Sequence, residues 1–376
     1  MTRLFQMFVL VGLALMAGPL GAAAGSGRYG LLPGDPQAPA RVQRIDDFRK
    51  RAPALATRFS SHVWTGGDGE SMPYRLYSPD QVQAGRRYPL VVFLHGAGGS
   101  GTDNERQLQG ANIFGALVWA LPENQARHPC YILAPQSDVN WPCVIIPTGV
   151  QPRTPRDIRF CPWPALGAGV RRAFAVIDDL AARLPIDDRR IYVTGHSMGG
   201  AGAWHMIAHR PRFFAAAVPV CGHPDPVTAS IVRRVPVWNF HGETDEVEPV
   251  ATSRVMIDAL RAAGGKPRHT EYPGVGHNVF RWVYTEPALP AWLFDRRRCS
   301  RPSGRRLGGD LAGHPAEAAG GGVTPQRLQL GTAGVAAAGG QLGPGEPQPD
   351  LQLQLHQAKA PALSQHALQP LRRPGG

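Results

Sequence analysis

Five residues around Ser197 have the types and spacing of an exposed nucleophile. The sequence GHSMG (195–199) follows a short apolar run at 191–194 and precedes a stretch at 201–209 that suits a helix. A serine on a sharp strand-to-helix turn exposes its hydroxyl, and the flanking glycines allow the close packing that the turn needs. A serine hydroxyl is a weak nucleophile, so acyl transfer at Ser197 would also require a base and a group that orients the base.

A histidine and an acid are available later in the chain, each just after a predicted strand. His277 ends the sequence GVGH (274–277), a glycine-rich loop that can bring its imidazole to Ser197. Asp245 ends the sequence HGETD (241–245), in the loop after a strand predicted at 235–240. The order serine, acid, histidine is the one used by hydrolases with this nucleophile turn. We therefore predict His277 as the general base and Asp245 as the orienting acid.

Two other acids on the same loop are alternatives to Asp245. Glu246 and Glu248 follow it within three residues. We favour Asp245 because it stands nearer to the end of the predicted strand, where sites of open parallel sheets form.

The loop after the apolar run at 88–94 has the composition of an oxyanion-binding loop. It reads HGAGG (95–99), and in hydrolases of this kind one oxyanion donor comes from that position and the other from the residue after the nucleophile. We predict the backbone N–H groups of Ala97 and Met198 as the donors. His95 is expected to order the loop by hydrogen bonding, and His205 and His209 are expected to serve packing or the surface.

Short apolar strands alternate with helical stretches over most of the chain. A hairpin is predicted at 61–64 and 73–77, and helices are predicted at 170–184 and 255–263. Further strands are predicted at 88–94, 131–134, 191–194, 215–220, 235–240 and 269–272. This alternation predicts an α/β fold with a mostly parallel central sheet and helices on both faces.

An insertion interrupts this pattern at 136–165, where six prolines occur. A connection of this length either shapes access to a site or is a variable surface excursion, and both interpretations stay open. Trp141 and Trp163 in the insertion, with Trp204 on the helix after the nucleophile, could line an aryl pocket or simply pack.

The two ends of the chain differ in character from the middle. Residues 1–24 have a basic start, an apolar run and a small-residue cleavage site, which predicts a signal peptide and a secreted or periplasmic protein without stable membrane insertion. Residues 25–58 are predicted to be an N-terminal extension, and 59–298 the catalytic domain. Residues 299–376 lack aromatic side chains and are predicted to be a disordered tail.

Charge and cysteine content exclude some classes of function. Half of the formal net charge of +12 lies from Arg296 onward, and the rest is spread without a basic stripe, so no nucleic-acid partner is predicted. The cysteines have no C-x-x-C spacing and the histidines are scattered, so no metal site is predicted. Acyl transfer to Ser197 needs no cofactor, and none is predicted. The five cysteines are Cys130, Cys143, Cys161, Cys221 and Cys299. Either Cys143 and Cys161 form a disulfide or the cysteines are buried free thiols, and both interpretations stay open. Oligomeric state is not predicted.

Five segments together resemble a known group of enzymes. They are PYRLYSP, YPLVVFLHGAGGSGTDN, YVTGHSMGGAGAW, VWNFHGETDEVEPV and YPGVGHNVF, between about Tyr74 and Asp295. In order and spacing they resemble exported esterases of the α/β-hydrolase superfamily, including feruloyl-esterase-like and polyhydroxybutyrate-depolymerase-like enzymes and predicted peptidases or phospholipase/carboxylesterases. The resemblance implies a Ser197–Asp245–His277 triad and an oxyanion hole at Ala97.

Three functions remain to be compared. The first is a secreted serine hydrolase that cleaves small or polymeric carboxylic esters through an acyl-enzyme. A serine peptidase of the same fold would use the same triad and differ only in its substrate pocket. A catalytically idle member of the fold used for binding is the third, although no member of the triad is missing.

Overall fold

The computed structural model describes residues 38–298, with gaps at 68, 143, 146–158 and 161–162. The predicted signal peptide, the tail at 299–376 and the Cys143–Cys161 bridge lie outside the described residues. Cys130 and Cys221 are both buried free thiols. Within the described part of the chain, no helix is long and apolar enough to cross a membrane.

Among the described residues, eight strands form one sheet, and two further short strands form a separate hairpin. The strands of the sheet are β1 Ser60–Thr65, β2 Ser71–Tyr77, β3 Tyr88–Leu94, β4 Tyr131–Pro135, β7 Ile186–His196, β8 Ala216–Val220, β9 Trp238–Gly242 and β10 Arg268–Tyr272. The hairpin strands are β5 Val144–Ile145 and β6 Arg159–Phe160. All the predicted strands are present, with β7 longer than expected and β9 shifted towards its carboxyl end.

The helices are more numerous than the sequence patterns indicated. They are α1 Ala38–Ala56, α2 Ile113–Leu117, α3 Pro122–Arg127, α4 Ala168–Arg183, α5 Met198–His209, α6 Ala229–Val232, α7 Val250–Ala262, α8 Phe280–Tyr284 and α9 Ala288–Phe294. The predicted helices correspond to α4, α5 and α7. The short helices α2, α3, α6, α8 and α9 were not predicted.

The sheet has the order β1-β2-β4-β3-β7-β8-β9-β10 and is parallel from β4 to β10. Strand β2 is antiparallel to both of its neighbours, β1 and β4. The central strand β3 is buried at every position, as expected of a strand covered on both faces.

Alternate residues of the strands face two separate cores. Val91 and Phe93 of β3 belong to the core that contains α1, α2, α8 and α9. Leu90, Val92 and Leu94 belong to the opposite core, with α4, α5 and α7. Helices therefore cover both faces, and the predicted α/β fold class is confirmed.

The start of the packed structure differs from the boundary predicted at residue 59. Helix α1 occupies much of the stretch described above as an N-terminal extension. Ile45, Phe48, Ala52 and Leu55 lie on one face of α1 and are buried in the first core. Their spacing of three and four residues is helical. The charged residues between them and Pro53 obscure this pattern in the sequence.

Candidate active site

Ser197 lies at the sharp turn between β7 and α5. Its backbone has φ 55° and ψ −123°, in the left-handed region that residues with a side chain rarely adopt. The turn is fixed by a hydrogen bond of 2.9 Å from the Ser197 N–H to the carbonyl of Val220 on β8. Strain of this kind is found where a side chain must be presented in a particular direction.

The flanking glycines are required because α5 approaches β3 closely. A Cβ atom on Gly199 would lie 1.9 Å from the carbonyl oxygen of Leu94. A Cβ atom on Gly195 would lie 2.4 Å from the carbonyl oxygen of Gly199. Neither distance is possible for real atoms, so both positions need glycine for the turn to close.

His277 lies in a short helical turn, His277–Val279, in the loop after β10. Its Nε2 is 2.9 Å from the hydroxyl oxygen of Ser197. Its Nδ1 is 2.8 Å from Oδ2 of Asp245 and 3.0 Å from Oδ1. Because a carboxylate only accepts, Nδ1 carries the proton and Nε2 is left to accept the Ser197 hydroxyl proton. The structure thus brings the three predicted residues into one hydrogen-bonded line.

Asp245 is held as a carboxylate by the loop after β9. Its Oδ1 accepts the backbone N–H groups of Val247 and Glu248 at 2.9 and 2.8 Å. Burial alone would raise the pKa of the Asp245 carboxyl, but hydrogen bonds from His241 and His277 outweigh it and hold that pKa well below its usual range. The carboxyl is therefore charged at neutral pH and can stabilise an imidazolium at His277.

The two alternative acids do not reach His277 in this arrangement. Glu246 is exposed to solvent. Glu248 is half-buried, and its Oε2 lies 3.2 Å from Nδ1 of His223. Among the described acids of this loop, only Asp245 contacts the imidazole of His277.

The two predicted oxyanion donors lie on loops that touch each other. Ala97 begins a helical turn directly after β3, and Met198 is the first residue of α5. An N–H at the first position of a helical turn has no acceptor within that turn, so both are available to a ligand. A Cβ atom on Gly96 would lie 2.7 Å from Nε2 of His196, which shows how closely the two loops approach.

His95 ties the Ala97 loop to the start of the insertion. Its Nδ1 lies 2.8 Å from the carbonyl of Gly96, and its Nε2 accepts the N–H of Ser137 at 3.0 Å. This is the loop-ordering role expected of it. Burial lowers the pKa of His95 to about 4, so the ring is neutral.

Of the three tryptophans considered for an aryl pocket, two line one cavity. Trp141 is wholly buried and donates its indole N–H to the carbonyl of His95, so it packs in the core. Trp163 and Trp204 face a cavity next to α5, together with His223 and Asp225 of the loop after β8. Trp163 belongs to the insertion, so a described part of the insertion forms one wall of this cavity. His205 of α5 also lines it, and its Nε2 accepts the N–H of Gly167.

Two residues behind His277 and Asp245 were missed by the sequence analysis. His241 is fully buried, with Nδ1 2.8 Å from the Ser253 hydroxyl and Nε2 2.7 Å from the Glu248 carbonyl. Its Nε2 is also 3.3 Å from Oδ2 of Asp245. Its place four residues before Asp245 is the one feature of the sequence that could have indicated this contact.

Cys221 is the second missed residue, and it completes a cluster of metal-type donors. Its sulfur, an Asp245 oxygen and an His277 nitrogen lie within 4.8 Å of one another. The Asp245 oxygens and His277 Nδ1 already bond to each other, and burial raises the pKa of the Cys221 thiol well above its usual value. The donors thus serve the hydrogen-bond network, and they fit a metal ion poorly.

Comparison with known proteins agrees with this architecture. Residues 156–283 match the dienelactone hydrolase family. The solved structure of a thermostable esterase is 37% identical, with a TM-score of 0.58 over 65% of this chain and 64% of that chain. NocK of Nocardia uniformis subsp. tsuyamanensis, assigned as an esterase, is 28% identical over 57% of each chain. An Oryza sativa subsp. japonica protein, assigned as a carboxylesterase, is 28% identical over 60% of this chain and 84% of its own.

The regions matched in these comparisons and the observed fold indicate the same kind of protein. The chain spans 57% of NocK and 64% of the thermostable esterase, so likeness extends over part of those relatives. The matched family segment contains β7, the nucleophile turn, the Asp245 loop and the His277 loop. The chain has the α/β-hydrolase fold, and it is similar to proteins of the dienelactone hydrolase and esterase type.

Proposed function

We propose that the protein is a serine hydrolase that cleaves carboxylic esters through an acyl-enzyme intermediate. The observation that carries the proposal is the hydrogen-bonded line from the Ser197 hydroxyl through His277 to Asp245, with distances of 2.9 and 2.8 Å. The esterase relatives support the same class of substrate. Neither a metal nor an organic cofactor is needed for this chemistry.

The geometry supports the following sequence of steps. His277 Nε2 accepts the hydroxyl proton as Ser197 Oγ attacks the ester carbonyl. The negative charge that develops on the carbonyl oxygen is stabilised by the N–H groups of Ala97 and Met198. Asp245 stabilises the imidazolium, which then gives its proton to the departing alcohol and leaves an acyl group on Ser197. Water, deprotonated by His277, releases the acid.

The proposal is tested with a Ser197→Ala variant. We expect kcat on p-nitrophenyl acetate to fall by about 10⁶-fold and labelling by a fluorophosphonate probe to disappear. The melting temperature should stay close to that of the unchanged protein, because only one oxygen is removed. Turnover near the original level in the purified variant would rule out Ser197 as nucleophile.

A peptide p-nitroanilide assayed beside the ester separates the proposed esterase from a peptidase. Faster turnover of the peptide would assign the same residues to peptide cleavage. Within esters, a panel of feruloyl, short acyl and hydroxyalkanoate substrates would identify the acyl group. An unchanged protein that neither turns over nor reacts with the probe would indicate a binding protein.

We also propose that the protein is exported, on the basis of residues 1–24 alone. Expression of the full chain in a bacterial host, followed by N-terminal sequencing of the extracellular or periplasmic form, tests this. The expected mature N-terminus lies near Gly25. Recovery of an intact Met1 terminus from the cytoplasm would contradict it.

A further inference from the structure

A groove of about 640 Å³ lies at the amino ends of β9 and β10. It is formed by the segments that lead into β9 and β10 and by the end of α9, whereas Asp245 and His277 follow the opposite ends of the same strands. Strands of five residues separate the two places by about 17 Å. The part of a ligand that is held in the groove therefore lies away from the nucleophile.

Five cationic side chains line this groove, and none of its described lining residues is acidic. They come from three separate segments: Arg233, Arg234, Lys266, Arg268 and Arg296. Because these segments are distant in the chain, the sequence shows no basic stripe. The fold assembles the positive charge.

These cations lack carboxylate partners within the described part of the chain. The neighbouring helix α7 shows the contrast, since its Arg254 pairs with Glu271 and its Arg261 pairs with Asp258. Arg234, Lys266 and Arg268 are exposed. Cations that lack partners repel one another and destabilise the folded state. A bound anion would reduce this repulsion and stabilise the fold.

Two of the guanidinium groups are oriented by tryptophan rings. The Arg268 guanidinium carbon lies 3.4 Å from the centre of the Trp238 ring, and that of Arg296 lies 5.2 Å from the centre of the Trp292 ring. The two indoles contact each other edge to face at 5.3 Å. Stacking of this kind fixes the plane of a guanidinium and leaves its N–H edge free to bind oxygen.

We propose that this groove binds a carboxylate-bearing polysaccharide and anchors it to the protein away from the nucleophile. Arginine recognises carboxylates in a planar, two-bond geometry, which suits the fixed guanidiniums of Arg268 and Arg296. The groove volume lies within the range of ordinary ligand pockets. Trp238 is buried and each indole has an arginine over it, so the aromatic faces that single-stranded nucleic acid uses for stacking are covered.

The experiment measures binding of oligogalacturonate to the full chain carrying Ser197→Ala, which keeps the result independent of catalysis. The groove variant is Arg234→Gln with Arg268→Gln, which removes two exposed cations, one of them stacked on Trp238. The matched control is Arg86→Gln with Arg127→Gln, which removes the same charge from exposed positions elsewhere. Both variants keep the arginines of residues 299–376.

We expect the groove variant to bind about tenfold more weakly than the control variant, and binding to weaken with added salt. A neutral dextran of equal length should not bind. Equal binding by the two variants would overturn the proposal. Tighter groove-dependent binding of a single-stranded oligonucleotide, or of phosphatidylglycerol vesicles, would overturn the assignment of the partner.

Discussion

At the scale of single residues, Asp245 differs from the other acids of its loop in the groups that bind its carboxylate. Asp245 accepts two backbone N–H groups and contacts both His277 and His241, whereas Glu248 is directed to His223. The site thus depends on one carboxylate that the loop keeps charged. The neighbouring acids have other partners or face solvent.

This arrangement predicts unequal effects of neutralising the three acids. Asp245→Asn should keep the fold but lower kcat by on the order of 10⁴-fold, because the imidazole is no longer held in the useful tautomer. Glu246→Gln and Glu248→Gln should each keep kcat within a few fold. Ester hydrolysis and melting temperature of the three purified variants would be compared. If Asp245→Asn remained active and Glu248→Gln were inactive, Glu248 and not Asp245 would be the acid of the site.

Much of the site was predictable because its residues are fixed by local sequence. A nucleophile turn needs glycine at defined positions, and each catalytic loop directly follows an apolar strand. His241 lies four residues before Asp245, a spacing that was given no role in the prediction. Cys221 was not predictable, since its contact with the His277 carbonyl arises only when the segments after β8 and β10 meet. The basic groove was missed for the same reason.

At the scale of elements, the position of α5 depends on Gly199 in its first turn, because glycine has no side chain. Gly199→Ala would put a methyl group 1.9 Å from the Leu94 carbonyl, so α5 would have to move away from β3. We expect loss of most ester hydrolysis and a clear fall in the melting temperature. Gly98→Ala is the matched control, because a Cβ atom there has open space around it. Similar behaviour of the two variants would show that α5 has room to move.

The start of the domain depends on α1. Phe48 is buried, with its ring centre 5.2 Å from that of Phe114 on α2. Phe48→Ala should lower the free energy of unfolding by about 3 kcal/mol, the usual cost of such a cavity. Lys50→Ala, on the exposed face of α1, should change it by less than about 0.5 kcal/mol. Denaturant titration measures both, and a small effect of Phe48→Ala would place the domain start near residue 59 after all.

The elements differ in how far sequence alone could locate them. The buried strands were predicted well because continuous apolar runs of that length have few alternatives in an α/β chain. Helix α1 was missed because the four residues that it contributes to the first core are separated by charges and by Pro53. The short helices α8 and α9 carry buried residues in the first core but are too brief to show a helical period.

At the scale of the whole molecule, neutral histidines that are buried or half-buried link stability to pH. Burial lowers the pKa of His95 to about 4 and those of His196 and His205 to about 3. An unfolded histidine titrates near about 6.5. Between these values the unfolded chain binds more protons than the folded one, so the free energy of unfolding falls as pH falls.

This linkage predicts acid sensitivity that begins well above the range of the carboxyls. From about pH 6.5 down to about 4, each of these histidines should remove up to about 1.4 kcal/mol of stability per pH unit. The carboxyls of Asp245 and Glu271, whose pKa values are lowered, stabilise the fold above about pH 4 and lose that effect only at lower pH. The histidine and carboxyl contributions are therefore separated in pH.

His205→Gln isolates one histidine from the rest. Glutamine can still accept the Gly167 N–H but does not titrate, so the slope of unfolding free energy against pH should decrease by about one proton between pH 6 and 4. Urea titrations at half-unit steps of pH measure that slope for both proteins. Glu271→Gln should leave the slope in this range unchanged and alter it only below about pH 4.5. If His205→Gln left the slope unchanged, the acid sensitivity would have to come from other groups.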